Sequence, residues 1–175
     1  MDEKKLVKII IPVCIVLAVI GIWIFKNIDK GPSEGSITPK NDGDFLLEAT
    51  SIDLEALTSY NLPIIIDFGA DSCIPCKEMA PVLKTLNAEM QGKAIIKFVD
   101  VWKNGAAAND FPIQVIPTQI FINADGTPYL PSDNIKIRFA FYKFKETGAH
   151  AFTIHQGGLT EEQMRAILAD MGVTE

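Results

Sequence analysis

Cysteine, histidine and tryptophan are all scarce in this chain, with three, two and two copies among 175 residues. Three cysteines cannot build the multi-bridge scaffold of a small secreted domain. Two histidines, His150 and His155, offer little to zinc, which needs four convergent ligands in a structural site. They lie more than seventy residues beyond the last cysteine, and their spacing of five on an expected strand puts them on opposite faces. Basic residues are also in deficit. Lys plus Arg number 16 against 22 Asp plus Glu, for a net charge of −6, and from residue 31 onward the balance is eleven against nineteen. Such an acidic body excludes nucleic acid as a partner. Repeats are absent, and low-complexity sequence is confined to one short Gly/Pro/Ser/Asn/Asp-rich stretch near the N-terminus.

Charge is missing altogether from residues 9–25. At ~1.5 Å per residue this run spans about 26 Å as a helix, close to the ~30 Å of a bilayer hydrocarbon core. It is read as an uncleaved transmembrane anchor over residues 1–28. A cleaved secretory signal would want small residues after the apolar core, where this chain has Trp23, Ile24, Phe25, Lys26, Asn27 and Ile28. A lipid-modified Cys14 is a further reading, weakened by Val13 before it and by the apolar run that continues past it. Lys4, Lys5 and Lys8 precede the span and Lys26 and Lys30 follow it. That excess predicts a cytoplasmic N-terminus and a single-pass protein of the cell membrane, its main domain extracytoplasmic. Residues 29–44, rich in Gly, Pro, Ser, Asn and Asp, read as a flexible tether, and residues 45–175 as one folded domain.

Two of the cysteines form Cys73-Ile74-Pro75-Cys76, directly after the apolar β-branched run Ile64-Ile65-Ile66-Asp67-Phe68 and directly before a helical pattern. Two sulfurs on one turn at a helix start lie where unpaired N–H groups and the helix dipole favour a thiolate. Cys73 is then the attacking thiol, and Cys76 can resolve the mixed disulfide that results. Pro75 restricts the turn between them. Asp67, alone in an apolar strand, should be desolvated with its pKa raised, which suits proton exchange with Cys76.

The stretch from Asp67 to Lys77 resembles the active-site segment of the thioredoxin family. Ala80-Pro81 is similar to its helix kink, Ile116-Pro117-Thr118 to its cis-proline loop, Asn123 to Gly126 to its late hairpin turn, and Gly157-Gly158 with residues 160–171 to its closing glycine and helix. The likeness covers roughly residues 45–172. It implies a thiol:disulfide oxidoreductase that needs no prosthetic group beyond its cysteine pair and acts on disulfide-containing protein substrates. With the anchor it further implies a membrane or extracytoplasmic electron donor. It also implies a cis peptide before Pro117, which only proline makes cheap, and a substrate strand pairing beside Ile116, Pro117 and Thr118, with Ile74 and Pro75 at the contact. Lys97 resembles the lysine that faces the buried aspartate in the family. Gly69 and Ser72 depart from the pattern, standing where many members carry tryptophan, and Ile74 replaces the usual glycine. Reduction is the expected direction; an oxidase or isomerase, or a non-catalytic binding module, are the alternatives.

The implied fold is α/β, a thioredoxin-like three-layer sandwich with a mixed central sheet. Leu54, Leu57 and Tyr60 have helical spacing, as do Met79, Val82, Leu83, Leu86 and Met90. Residues 94–101 read as a strand joined to the first by a right-handed crossover. Residues 106–110 read as a short helix, and 118–123 as a strand pairing with one just after Gly126. Thr160 and Gln163 form a capping box for the last helix. Between Gly126 and Gly157 the chain exceeds a minimal thioredoxin by some twenty residues. There, Ile135, Ile137, Phe139 and Phe141 alternate with Lys136, Arg138, Ala140 and Tyr142, predicting a strand that turns at Thr147-Gly148 into a second over residues 151–155. A lengthened C-terminal β-hairpin at the sheet edge follows.

Overall fold

A computed structural model describes residues 43–174. The expected membrane anchor and all but the last two residues of the expected tether lie outside them. Among the described residues no helix is long and apolar enough to cross a membrane. Gly43 and Asp44, read as the end of the tether, are bonded into the domain: Lys97 Nζ donates to the Gly43 carbonyl at 2.5 Å and Tyr60 Oη to Asp44 at 2.5 Å.

The chain order is α1 (Leu54–Thr58), β1 (Ile64–Gly69), α2 (Ile74–Glu89), β2 (Ile95–Asp100), a 3₁₀ turn (Gly105–Ala108), β3 (Thr118–Ile122), β4 (Ala140–Lys143), β5 (His150–Gln156) and α3 (Glu161–Asp170). The strands lie in the order β2-β1-β3-β5-β4, with β1 and β2 parallel and the other pairs antiparallel. The sheet is therefore mixed, and β1 is fully buried along its length. A strand covered on both faces favours apolar residues along its length, which is why β1 reads as a near-continuous run broken at Asp67 and not as an alternation.

Alternate residues of β1 serve two cores. Ile64, Ile66 and Phe68 join Leu57, Tyr60, Val99, Phe111 and Ile120 on one face, while Ile65 joins Met79, Leu83, Leu86, Phe121, Met164 and Ile167 of α2, β3 and α3 on the other. Each such side chain contributes about 1.5–3 kcal/mol on burial. The helix-period apolar face of α2 thus packs as its spacing predicts. Thr160 caps α3 by accepting from Gln163 N, and Gln163 accepts in return from Thr160 N.

The C-terminal region differs from expectation in its pairing. No strand follows Gly126 directly: Pro128 makes one isolated bridge with Ile122, and β3 pairs antiparallel with β1 on one side and β5 on the other. The hairpin strand begins at Ala140 and not at Ile135. Residues 135–139 carry no regular secondary structure, and Ile135, Ile137 and Phe139 pack on the α2–α3 core. The apolar alternation is real, but it marks contact with a core, not a hydrogen-bonded ladder. A register shift at Tyr142/Lys143 interrupts the β4–β5 pairing.

Candidate active site

Strand β1, helix α2 and the loop before β3 meet where the two cysteines lie. Cys73 is the N-cap of α2, with extended backbone geometry, and its Sγ accepts from Cys76 N at 3.3 Å. Pro75 sits within the first helical turn, where its missing N–H costs nothing. Cys73 and Cys76 are joined as a disulfide. Cys73 is half-buried and Cys76 buried, so an incoming group meets Cys73 first. On reduction, the sulfur at the N-cap would be the one stabilised as a thiolate by the N–H of Cys76 and the helix dipole. Pro81 lies inside α2, where it can offer no N–H to the turn before it.

The Ile116-Pro117 peptide is cis, and the Ile116 carbonyl lies 3.9 Å from Cys73 Sγ. Ile74 is 72% exposed, Pro75 is exposed and Ile116 half-buried, so these three present a surface beside the disulfide. Pro117 and Thr118, placed with them by sequence, are buried. The Pro117 carbonyl accepts from Gly157 N at 2.9 Å, and the Thr118 hydroxyl donates to the Val115 carbonyl at 2.7 Å. Thr118 therefore braces the loop from inside and does not contact an incoming chain. A groove of about 520 Å³ leads away from Ile116, lined by Val101, Trp102, Ala108, Phe111 and Val115. Trp102 is exposed at its rim.

Asp67 is completely buried beneath the pair. Its Oδ1 accepts from Gln119 Nε2 at 2.7 Å, whereas Oδ2 finds no partner among the described residues. A Cβ placed on Gly69 would lie 3.3 Å from Asp67 Oδ2 and 3.3 Å from Cys76 Cβ, so Oδ2 and Cys76 border the same small space beside Gly69. Burial raises the Asp67 pKa to about 7, against the pull of the Gln119 hydrogen bond. A carboxyl with that value can give or take a proton near neutral pH.

Lys97 is not brought to Asp67. In β2 its register partner is Ile66, while Asp67 is paired with Phe98, so lysine and aspartate point to opposite faces of the sheet. Lys97 is buried and its Nζ donates to the carbonyls of Gly43 and Leu46 at 2.5 and 2.7 Å. Burial lowers its pKa, and the charge of Asp44 partly restores it. Its role is to tie the start of the domain to β2. The phase of β2 is one residue off the expected pattern, and Phe98 takes the place over Asp67. Its ring comes within 2.9 Å of a Cβ on Gly69, so the ring fills the space that a side chain at 69 would need.

Gln119 was not visible as a site residue from motif alone. The signal was available, however: it is a polar residue in the buried apolar strand Thr118–Ile122, the same feature that singles out Asp67. Asp100 at the end of β2 is structural. Burial pushes its pKa up, but the backbone N–H groups of Asp71, Lys103 and Trp102 outweigh this and hold it below the usual value. His150 and His155 sit in the hairpin, with Nε2 of His150 beside Thr153 Oγ1 and Nδ1 of His155 beside the Arg138 carbonyl.

Residues 49–134 match the family model described as Thioredoxin. Thioredoxin of Staphylococcus aureus is 33% identical over 96 residues, which cover 51% of this chain and 90% of that protein. Thioredoxin 1 of Chlorobaculum tepidum is 41% identical over 63 residues; the match spans 36% of this chain and 62% of that relative. Among solved structures, chloroplastic thioredoxin z superposes with a TM-score of 0.51 at 23% identity, covering 73% of this chain and 94% of that one, a likeness of fold.

Proposed function

The chain belongs to the thioredoxin family and is a thiol:disulfide oxidoreductase through Cys73 and Cys76, and from that premise we propose that it reduces disulfides of extracytoplasmic proteins while anchored in the cell membrane by residues 1–28. The observation that carries the exchange chemistry is the stack of three layers at one spot. An accessible Cys73 lies beside the Ile116 carbonyl, a buried Cys76 lies behind it, and a carboxyl that titrates near neutrality lies below.

In the reductive direction, the Cys73 thiolate attacks one sulfur of a substrate disulfide and releases the other as a thiolate, which takes a proton from solvent. Cys76 gives up its proton and attacks Cys73 Sγ, the substrate's second thiolate leaves, and the enzyme is left with the Cys73–Cys76 bond. A substrate segment laid along Ile116 would gain backbone pairing there, and its flanking apolar side chains would find the groove by Val101, Trp102 and Val115. Return to the dithiol requires an electron donor, which for this placement is a membrane or extracytoplasmic protein. Support for the placement is the charge-free run over residues 9–25 with its lysine-rich N-terminal flank.

Two measurements test the reading. Equilibrating the Cys73/Cys76 couple against thiol buffers should give a value near roughly −270 mV, as for a reductant; a value near roughly −120 mV would make the protein a disulfide donor. In spheroplasts, added protease should remove the domain while leaving a membrane-bound N-terminal fragment. A domain released with the soluble fraction, or one protected until lysis, would refute the placement.

A further inference from the structure

Two polar atoms are left without partners in the buried site, Asp67 Oδ2 and Gln119 Oε1, and they belong to the two residues that are bonded to each other. Gln119 faces Asp67 directly across the β1–β3 ladder. Its Nε2 donates to Asp67 Oδ1 at 2.7 Å and lies 3.2 Å from the Gly157 carbonyl and 3.4 Å from Met79 Sδ. The amide is thus pinned from three elements: the active-site strand, helix α2 and the loop that leads into α3. An N–H group can only donate, so Oδ1 is held as an acceptor whether Asp67 is ionised or neutral.

We propose that Gln119 is the positioning residue of the resolving step: by occupying Oδ1 it confines the exchangeable proton of Asp67 to Oδ2, the oxygen that borders the space beside Gly69 shared with Cys76. As Cys76 becomes a nucleophile its S–H proton passes to Oδ2, directly or through solvent admitted with the substrate. Cys76 sulfur then bonds to Cys73 sulfur, the substrate sulfur departs with the electron pair of the broken bond, and the proton on Oδ2 is returned to the departing thiolate or to solvent. The substrate disulfide gains two electrons and the enzyme dithiol loses them. The inference rests on thiol exchange through Cys73 and Cys76 and is independent of membrane placement.

The surroundings make Gln119 the principal control. From β2 the carboxyl meets Phe98, because Lys97 points to the other face. From α2, Cys76 borders the same space beside Gly69 as Asp67 Oδ2, and Met79 Sδ lies against the Gln119 amide. On β5 the register partner of Gln119 is His155, whose Nδ1 lies 2.9 Å from the Arg138 carbonyl. Lys77 and Asp71 are exposed at the surface. The Gln119 hydrogen bond is the influence that pulls the Asp67 pKa down against burial.

The test uses the full chain, reduced, and an aryl disulfide that releases one coloured thiolate on attack by Cys73 and a second on resolution by Cys76. Gln119→Leu should move the pH midpoint of the second release upward by about one to two units, and slow it ~10–100-fold at neutral pH, the loss of one hydrogen bond to a charged group. The first release reports attack and serves as the internal control. In an Asp67→Asn background Gln119→Leu should slow resolution no further, and a His155→Gln background should leave the shift intact. Gln119→Met provides a second apolar replacement if leucine disturbs folding. An unmoved pH midpoint, or equal slowing with and without Asp67, overturns the proposal. Absence of any first release would instead refute exchange itself.

Discussion

The two faces of the central sheet each bury one ionisable side chain at neighbouring rungs of β1 and β2, and they treat it oppositely. On one face Lys97 has two backbone carbonyls at hydrogen-bond distance. On the other, Asp67 has one oxygen bonded to Gln119 and one without a partner. A buried charge bonded to fixed backbone carbonyls is anchored in place and works as a clamp. One whose bonds are half completed keeps its two protonation states close in free energy, and that is a property chemistry can use. Burial alone does not separate them, since both are below 4% exposed.

The largest effect that would sharpen this contrast comes from Asp67→Asn. The folded pKa of about 7 lies above the unfolded value of 3.8, so the native state binds the extra proton between them and wild-type stability falls as pH rises through that window. Removing the charge should stabilise the protein by up to about 4 kcal/mol at pH 8, with the gain fading to nothing below pH ~4. Urea unfolding across that range measures it. A gain that does not vary with pH would mean the carboxyl is not the strained group.

Next in size is Lys97→Met, which leaves the Gly43 and Leu46 carbonyls without their donor and should cost about 2–3 kcal/mol. Disulfide exchange by this variant should stay within about twofold of wild type at every pH, because the lysine faces away from Asp67. If the pH profile moves, the two faces are coupled and the contrast fails. Smaller again is Gly69→Ala, where the added Cβ meets Phe98 Cε2 at 2.9 Å. It should cost about 1–3 kcal/mol, and Phe98→Leu should recover part of it. The smallest effect is expected for Thr118→Val, which removes one hydroxyl bond to Val115 and should lower stability by about 1 kcal/mol while changing exchange little.

Much of this site was legible because its signals are local. A Cys-x-x-Cys at a helix start, a proline after Ile116 and a lone carboxyl in an apolar strand each carry their meaning within a few residues. Lys97 failed for a different reason: a strand's facing depends on parity, and an offset of one residue sends a side chain to the other side of the sheet. The motif placed the lysine in the right strand and the wrong layer. Gln119 escaped notice because its importance is a pairing across β1 and β3, set by tertiary register. Residues 135–139 misled through an apolar alternation that is compatible with a strand but is satisfied here by packing on the α2–α3 core, with Phe139 against Phe121 and Tyr129.

Strand β4 is the sheet's last member, and that position has a consequence for the molecule in a crowded setting. A terminal strand offers a row of backbone donors and acceptors on which a neighbouring chain could be templated into a growing sheet. This one is four residues long, has a break in its pairing at Tyr142/Lys143, and ends in the exposed cation Lys143. Those features make it a poor template. By closing β5 behind such a strand, the insertion leaves the longest of the five strands inside the sheet, so that self-association by edge-to-edge growth is blocked on the side of the fold farthest from β2.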